Sequence, residues 1–364
     1  MLKTVSLFSG AGGMDLGFER AGYEIIFANE LNPDGARTWL QNRPDNKGAM
    51  HVGDLVTYLD VLSNLKSVAL VIGGPPCQGF SVAGKMDKED PRSKLVFTYL
   101  DVVERVRPKV FLMENVSALA TSSRWECVRL EIAKRSSDLG YEATFEVYDA
   151  CDYGVPEHRR RMLLVGVQKG FGDPASFHVR MAESTREPKP LRDVLQGVGE
   201  YGSKDNPVTC TAKVTVAKRP VMRGHAYSGM LVNGAGRPLD LSRPSPTLTA
   251  SMGGNNTPII DENNLRDASS RHWFEVLYDS LSSEGCYDGV VPESIRRLTL
   301  SEAAAIQTFP RDYKFFGSSC SRYRQIGNAV PCHLSQVAAE ALYDAYFSDA
   351  SNEGGASDGG NAVE

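Results

Sequence analysis

No apolar run in the 364-residue chain reaches the roughly 18 to 20 residues that a bilayer-spanning helix needs. Met1 to Gly10 has neither the basic start nor the long apolar centre of a signal peptide. Paired cysteines are missing too: the seven, at positions 77, 127, 151, 210, 286, 320 and 332, are odd in number and scattered singly. That pattern argues against a disulfide framework and fits a reducing compartment, so a cytoplasmic protein is expected. With no C-x-x-C and only six histidines, no structural metal is expected. Internal repeats are absent.

A large excess of one charge is lacking as well. The net charge of -5 argues mildly against a polyanion partner when taken as a single number, but the charge is unevenly spread. Residues 349–364 hold four acids and no Lys or Arg, in a run of Gly, Ser and Asn that cannot build a core. Residues 204–250 hold seven Lys or Arg against Asp205 and Asp240, a local charge of +5. An acidic average conceals a basic surface candidate.

What is present is an α/β pattern. Short β-branched apolar runs at 4–8, 24–28, 68–72 and 109–113 alternate with amphipathic stretches at 12–22 and 92–106, the sign of βαβ units and a mostly parallel sheet. Two further strands are expected at 142–150 and 160–167. After Gly170 the helical period fades, Pro, Gly, Ser, Thr and Asn rise, and basic residues collect, predicting a second domain of short strands and loops to about Pro292. Helix returns at 301–309 and 335–347.

Chemistry gathers at the predicted strand ends. "LFSGAGG" (7–13) is a glycine-rich turn opening a helix, and Glu30 ends the next strand, a geometry that in parallel sheets places a nucleotide-like ligand beside an acid. The spacing is not G-x-G-x-x-G, so tight packing explains the glycines about as well. "VIGGPPCQGFS" (71–81) surrounds Cys77 with residues that fix backbone direction and admit a close planar ligand, which implies that the sulfur is aimed. "FLMENV" (111–116) delivers Glu114 to the same edge, where an acid in an apolar setting can serve a ring nitrogen. "VPEHRRRM" (155–162) supplies arginines, with Arg159 and Arg161 on one face and Arg160 on the other, able to favour a thiolate or hold a base oxygen.

Taken in order, "LFSGAGGMDLGFERAG", "ANE", "GD" at 53–54, "GGPPCQGFS", "MENV", "YGVPEHRRRMLLVG", "RRLTLSEAAAIQTFP" (296–310) and "RQIGNAVP" (324–331) resemble the prokaryotic type of DNA (cytosine-5) methyltransferase, over residues 4–331. The resemblance implies a Rossmann-like methyltransferase sheet with helices on both faces, spanning 1–175 and completed by 318–347. It further implies a smaller loop- and strand-rich target-recognition domain and hinge at 176–317; 348–364 is expected to be an acidic disordered tail. It also implies S-adenosyl-L-methionine as cofactor, with Phe8, Gly10, Gly12 and Gly13 lining its pocket, Glu30 on the ribose, Asp54 near the adenine amine, and Pro76, Leu95 and Asn328 as further contacts.

By the same resemblance Cys77 would be the nucleophile, Glu114 would bind the cytosine ring nitrogen and amine, Arg161 would donate to the cytosine carbonyl, and Arg159 would help position Glu114 and the thiol. The loop 81–94 would close over a flipped nucleotide. "SPTLTASMGGNN" (245–256) would lie along double-stranded DNA, with Ser81, Thr247, Thr249, Ser251, Gly253 and Gly254 as contacts. A cognate restriction endonuclease acting separately would complete a restriction–modification system, and one copy of each motif implies a monomer. Glu157 stands where the family usually has Gln, and 261–292 reads as an insertion. A tRNA-directed relative would carry a Cys-Phe-Thr segment, absent here; a non-catalytic DNA-binding homologue would have lost Cys77 or Glu114.

Overall fold

The structure is a computed structural model that describes residues 1–76 and 95–348. Its centre is a seven-stranded sheet of β1 (Leu2–Leu7), β2 (Tyr23–Glu30), β3 (Met50–Val52), β4 (Leu70–Gly73), β5 (Val110–Val116), β6 (Tyr141–Asp149) and β8 (Arg160–Gln168), with β7 (Glu157–His158) outside it. The order is β3-β2-β1-β4-β5-β8-β6. The first five pair in parallel, while β8 runs antiparallel to both β5 and β6. Strand order reverses between β1 and β4, so the two glycine-bearing turns that follow these strands open side by side at the switch point where such sheets bind ligands.

Both faces of the sheet's centre are covered, which is why β4 and most of β5 read as unbroken apolar runs. Leu70, Ile72 and Leu112 face a core filled by α1 (Gly13–Arg20), α2 (Pro33–Gln41), α7 (Ala175–Glu183) and α13 (Cys332–Tyr346). Val71, Phe111 and Met113 face α3 (Leu59–Ser63), α4 (Leu95–Val106), α5 (Ser117–Thr121) and α6 (Glu126–Asp138). The last helix is tightly seated: a Cβ on Gly17 of α1 would fall 2.5 Å from Gln336 N, so only glycine lets α13 approach this closely.

Beyond α7 come α8 (Leu191–Val198), the antiparallel ribbon β9 (Val216–Val221) and β10 (Met230–Val232), β11 (Ser245–Pro246), β12 (Ile259–Asp261), α9 (Glu262–Arg266), α10 (Trp273–Ser283), β13 (Ile295–Arg297), α11 (Leu300–Ile306) and α12 (Ser319–Asn328). The expected fading of helix after Gly170 is thus too simple. α7 and α8 are real but short, each burying only three side chains, and that is too few to carry a period. The 261–292 insertion is not decoration. Its helix α10 buries Trp273, Phe274 and Leu277 against Val214, Leu231 and Val232 of the ribbon region.

A buried polar network joins this part together. Glu302, fully buried, accepts two bonds from Arg296 (2.7 and 2.9 Å), one from Asn206 Nδ2 (3.0 Å) and one from Thr299 N (2.8 Å) in a capping box that starts α11. Arg296 also pairs with Glu262 at 2.7 Å, so losing Glu302 removes one of its two carboxylates and takes an acceptor from Asn206 Nδ2 and Thr299 N. Glu302→Ala is therefore expected to lower unfolding free energy by about 1–3 kcal/mol in urea titrations; a loss within a few tenths of a kcal/mol, the range of weak surface pairs, would count against this network.

Candidate active site

The cofactor edge begins where β1 ends. Phe8 takes φ 56°, a left-handed conformation that costs a non-glycine residue on the order of 1–2 kcal/mol. Such strain gathers at functional turns. Gly10 and Gly12 share positive φ, yet the glycines serve different ends. A Cβ on Gly12 would lie 2.7 Å from Arg43 Nη1, and one on Gly13 would lie 2.7 Å from Val330 O, so these two make room for the protein itself. Only Gly10 of the three meets nothing within 4 Å among the described residues.

Glu30, the last residue of β2, closes the turn. Its Oε2 accepts from Gly10 N at 2.7 Å and its Oε1 from Asn32 N at 2.7 Å. Burial pushes its carboxyl above the ordinary value, with the backbone N–H groups opposing and Asp15 adding to the rise. Asp54 follows β3, exposed, and accepts from Val56 N at 3.1 Å. Asn328 is the exposed last residue of α12, and its neighbours Ala329 and Val330 abut Gly13. Pro76 and Leu95, both half-buried, end the described segments on either side of 77–94. A backbone turn left clear at Gly10 by the described residues and a carboxylate immobilised beside it are a donor and acceptor set that fits a ribose-bearing cofactor.

The second edge is built on β5. Antiparallel register sets Glu114 opposite Leu163 and Val116 opposite Arg161, making Glu114 and Arg161 diagonal neighbours on one face. Arg161 Nε meets Glu114 Oε1 at 2.8 Å, both side chains largely buried. The apolar setting expected for Glu114 is thus replaced by a guanidinium, because β8 returns antiparallel and brings its first residues to the carboxyl end of β5. The double-glycine turn lies against this pair: a Cβ on Gly74 would sit 2.7 Å from Glu114 Oε2, and Asn115 Nδ2 donates to Pro75 O at 3.2 Å. Gly74 makes space for the carboxylate, a reason the sequence alone did not supply. Cys77, Ser81 and the loop 81–94 lie outside the described residues.

Arg159 has its described hydrogen-bond partners on 245–256 and at the end of α12. It is buried, donating Nη1 to Leu248 O at 3.1 Å and Nη2 to Gly327 O at 2.8 Å, with Glu157 Oε1 3.6 Å away. It precedes β8, where the ladder with β5 has not yet begun, so its described bonds run to the recognition segment and α12. On that segment Thr247, Thr249 and Ser251 are exposed, while Leu248 and Met252 are buried. The Thr247 hydroxyl donates to His158 O at 2.6 Å, and those of Thr249 and Ser251 pair with each other at 2.8 Å. A Cβ on Gly253 would come 3.3 Å from Cys320 Sγ, whereas Gly254, at φ 54°, borders open space.

The sequence model of the C-5 cytosine-specific DNA methylase family matches residues 2–344. The chain belongs to this family. It is a DNA (cytosine-5) methyltransferase, with S-adenosylmethionine as methyl donor. It is 33% identical over 353 residues to the Type II methyltransferase M1.HphI of Haemophilus parahaemolyticus, covering 94% of this chain and 86% of that one. It is 31% identical over 350 residues to M.FnuDI of Fusobacterium nucleatum, covering 94% of each. The Dnmt2 methyltransferase of S. pombe shares the fold, with a TM-score of 0.62 at 18% identity, over 95% of this chain and 100% of the other.

Two supports of the glycine turn, Asp15 and Arg43, escaped sequence reasoning, and a third residue, Glu157, stands out there only as a departure from the family. Asp15 is fully buried under the glycine turn, accepting from Ser6 Oγ and Trp39 Nε1 at 2.6 Å each; burial raises its carboxyl and nearby Arg43 opposes. Arg43 pairs twice with Glu19, at 2.7 and 2.8 Å, and donates to Gly12 O. Glu157 is buried beside Arg159. The only advance signal for Asp15 was its place two residues beyond the glycines on the helix they open.

Gly74→Ala tests the second edge. The added methyl must displace the Glu114 carboxylate, and a misplacement near 1 Å at a reacting group costs on the order of a hundredfold. We expect kcat for methyl transfer to fall by about that factor with little change in KM for S-adenosylmethionine; an unaltered kcat would detach Glu114 from the reaction.

Proposed function

We propose that the enzyme methylates cytosine within a short duplex sequence through a covalent Cys77–C6 adduct on a flipped-out base, as the modification half of a restriction–modification system. The single observation that carries this reading is the Glu114–Arg161 pair laid against the Gly74–Pro75 turn that leads to Cys77. In this reading Glu30 holds the ribose hydroxyls, with Phe8, Gly10, Asp54, Pro76, Leu95 and Asn328 around the rest of the cofactor. Gly12 and Gly13 act from behind, keeping the turn packed on Arg43 and Val330. Residues 1–175 with 318–347 form the catalytic domain and 176–317 the recognition domain, although α7 packs its Phe177 and Met181 with α13 and extends the catalytic side to Glu183.

Cytosine C5 is a weak nucleophile, and the chain's residues must make it a better one. The Cys77 thiolate adds to C6 while Glu114, entering the step protonated, gives its proton to the ring nitrogen and accepts from the amine, and Arg161 donates to the ring carbonyl, so that charge displaced by the addition is neutralised. C5 becomes enamine-like. When bound, S-adenosylmethionine supplies the electrophilic methyl group. After substitution at C5, loss of its proton and departure of the sulfur restore the ring. C6 has no open path inside a duplex, so the base must leave the stack, at a cost of a few kcal/mol. The basic excess of 204–250 supplies sequence-independent attraction to phosphate, and the exposed Thr249, Ser251 and Gly254 flank the approach.

The test is bisulfite sequencing of genomic DNA from a host without cytosine methylation, expressing either the wild type or Cys77→Ser. A short context methylated only by the wild type is expected, and it would yield the recognition site as well. No methylated context despite folded protein would move the substrate to RNA. Methylation surviving Cys77→Ser would end the adduct mechanism.

A further inference from the structure

Leu248 is gripped at both of its backbone groups by one short turn. Its N–H donates to Glu157 Oε1 at 2.5 Å, and its C=O accepts from Arg159 Nη1 at 3.1 Å. The grip is the end of a ladder: Ser245 N donates to Pro156 O at 2.9 Å, Ser245–Pro246 pairs in parallel with Glu157–His158, and Thr247 Oγ1 donates to His158 O. Glu157 is fully buried, and its second oxygen accepts from Gln307 Nε2 at 2.8 Å, just past the end of α11. Three segments far apart in sequence therefore converge on one carboxyl. The chain continues from this turn directly into β8 and Arg161.

We propose that Glu157 is a positioning residue for DNA: by fixing Leu248 it holds the exposed Thr249 and Ser251 in register with Arg161 and Glu114. The inference rests on reading 245–256 as the segment lying along DNA. A buried acid is a demanding choice for this post. Burial pushes its carboxyl up to about 7, against Arg159, Leu248 N–H and Arg161, with Asp149 adding to the rise. The folded chain holds this proton more tightly than the unfolded chain, so the acid's contribution to stability declines as pH rises from the ordinary carboxylate range through about 7.

The grip survives either protonation state. A carboxylate accepts from both Leu248 and Gln307. A protonated acid still accepts from Leu248 and can donate to Gln307 Oε1, a buried atom with no hydrogen-bond partner among the described residues, once the Gln307 amide turns over. An amide at 157 would reproduce the second arrangement at every pH.

The experiment measures methyl incorporation into fragmented, unmethylated genomic DNA by the wild type, Glu157→Ala, Glu157→Gln and Gln307→Glu, with melting temperatures recorded for each. Glu157→Ala is expected to raise KM for DNA by about tenfold or more, the scale of a buried N–H left without its acceptor, while KM for S-adenosylmethionine stays near wild type. Glu157→Gln should recover most of that loss and gain melting temperature relative to wild type between pH 5 and 8. Gln307→Glu sets two carboxyls face to face, so its KM for DNA should climb as pH rises from 6 to 8.5 and the shared proton is lost. Equal behaviour of the Ala and Gln variants, parallel changes in both KM values, or a pH-independent Gln307→Glu would each overturn the role. A wild type that methylates while these variants match it refutes this inference alone; a wild type that incorporates no methyl into DNA removes the reading beneath it too.

Discussion

The antiparallel return of β8 beside β5 is the constraint on which the catalytic edge depends. A purely parallel sheet would carry the start of β8 to the far edge, away from Glu114. Because β8 runs the other way, its first residues land at the carboxyl end of β5, and the diagonal of the ladder puts a guanidinium 2.8 Å from the Glu114 carboxylate. That ion pair is largely shielded from water, where a charge-assisted bond fixes direction as well as charge. The Glu114 side chain is thereby held in one direction by the fold itself.

The same strand reversal recruits the rest of the molecule. The residues that feed β8 cannot stay in the sheet, and they pair instead with 245–248 and reach Gly327 through Arg159. The C-terminal block then closes back on the first turn: Ala329 and Val330 crowd Gly13, and Tyr313 donates to Ala11 O. The glycine turn, the Glu114 edge and the 245–248 segment are thus linked by hydrogen bonds and close packing rather than by nearness alone. A shift of one would be felt by the others, because packed interiors transmit displacement instead of absorbing it.

How much of this was legible depended on the range over which each feature is decided. The strands were readable because burial on both faces writes a continuous apolar run, and the runs at 68–72 and 109–113 became Leu70–Gly73 and Val110–Val116. α2 and α6 were not anticipated. α6 buries only Ile132 and Ser136 along thirteen residues, too little for a period, and α2 is set as much by the Asn32 cap and Pro33 as by its pattern. The ordered motifs named the chemistry through resemblance, but not the bonds. Arg159 and Arg161 are alike in sequence and share an alternation phase; that one meets Glu114 while the other's described bonds hold Leu248 and Gly327 follows from where the β8 ladder begins, which no local pattern records.

Glycine shows the same division most sharply. In sequence, Gly10, Gly12 and Gly13 read equally well as tight packing or as room for a ligand, and Gly74 as room for a planar ligand. In space, an added Cβ at Gly12 or Gly13 meets Arg43 or Val330, one at Gly74 meets Glu114, and one at Gly10 meets nothing among the described residues. Three of the four are therefore needed to bring the protein's own parts together, and the cofactor edge is left open at the fourth. The strained Phe8 precedes Gly10 by two residues, and Glu30 holds the Gly10 N–H. The geometry follows from an economy of space: a turn that must be tight enough to stack Arg43, Trp39 and the C-terminal segment behind it can leave only its front for a ligand.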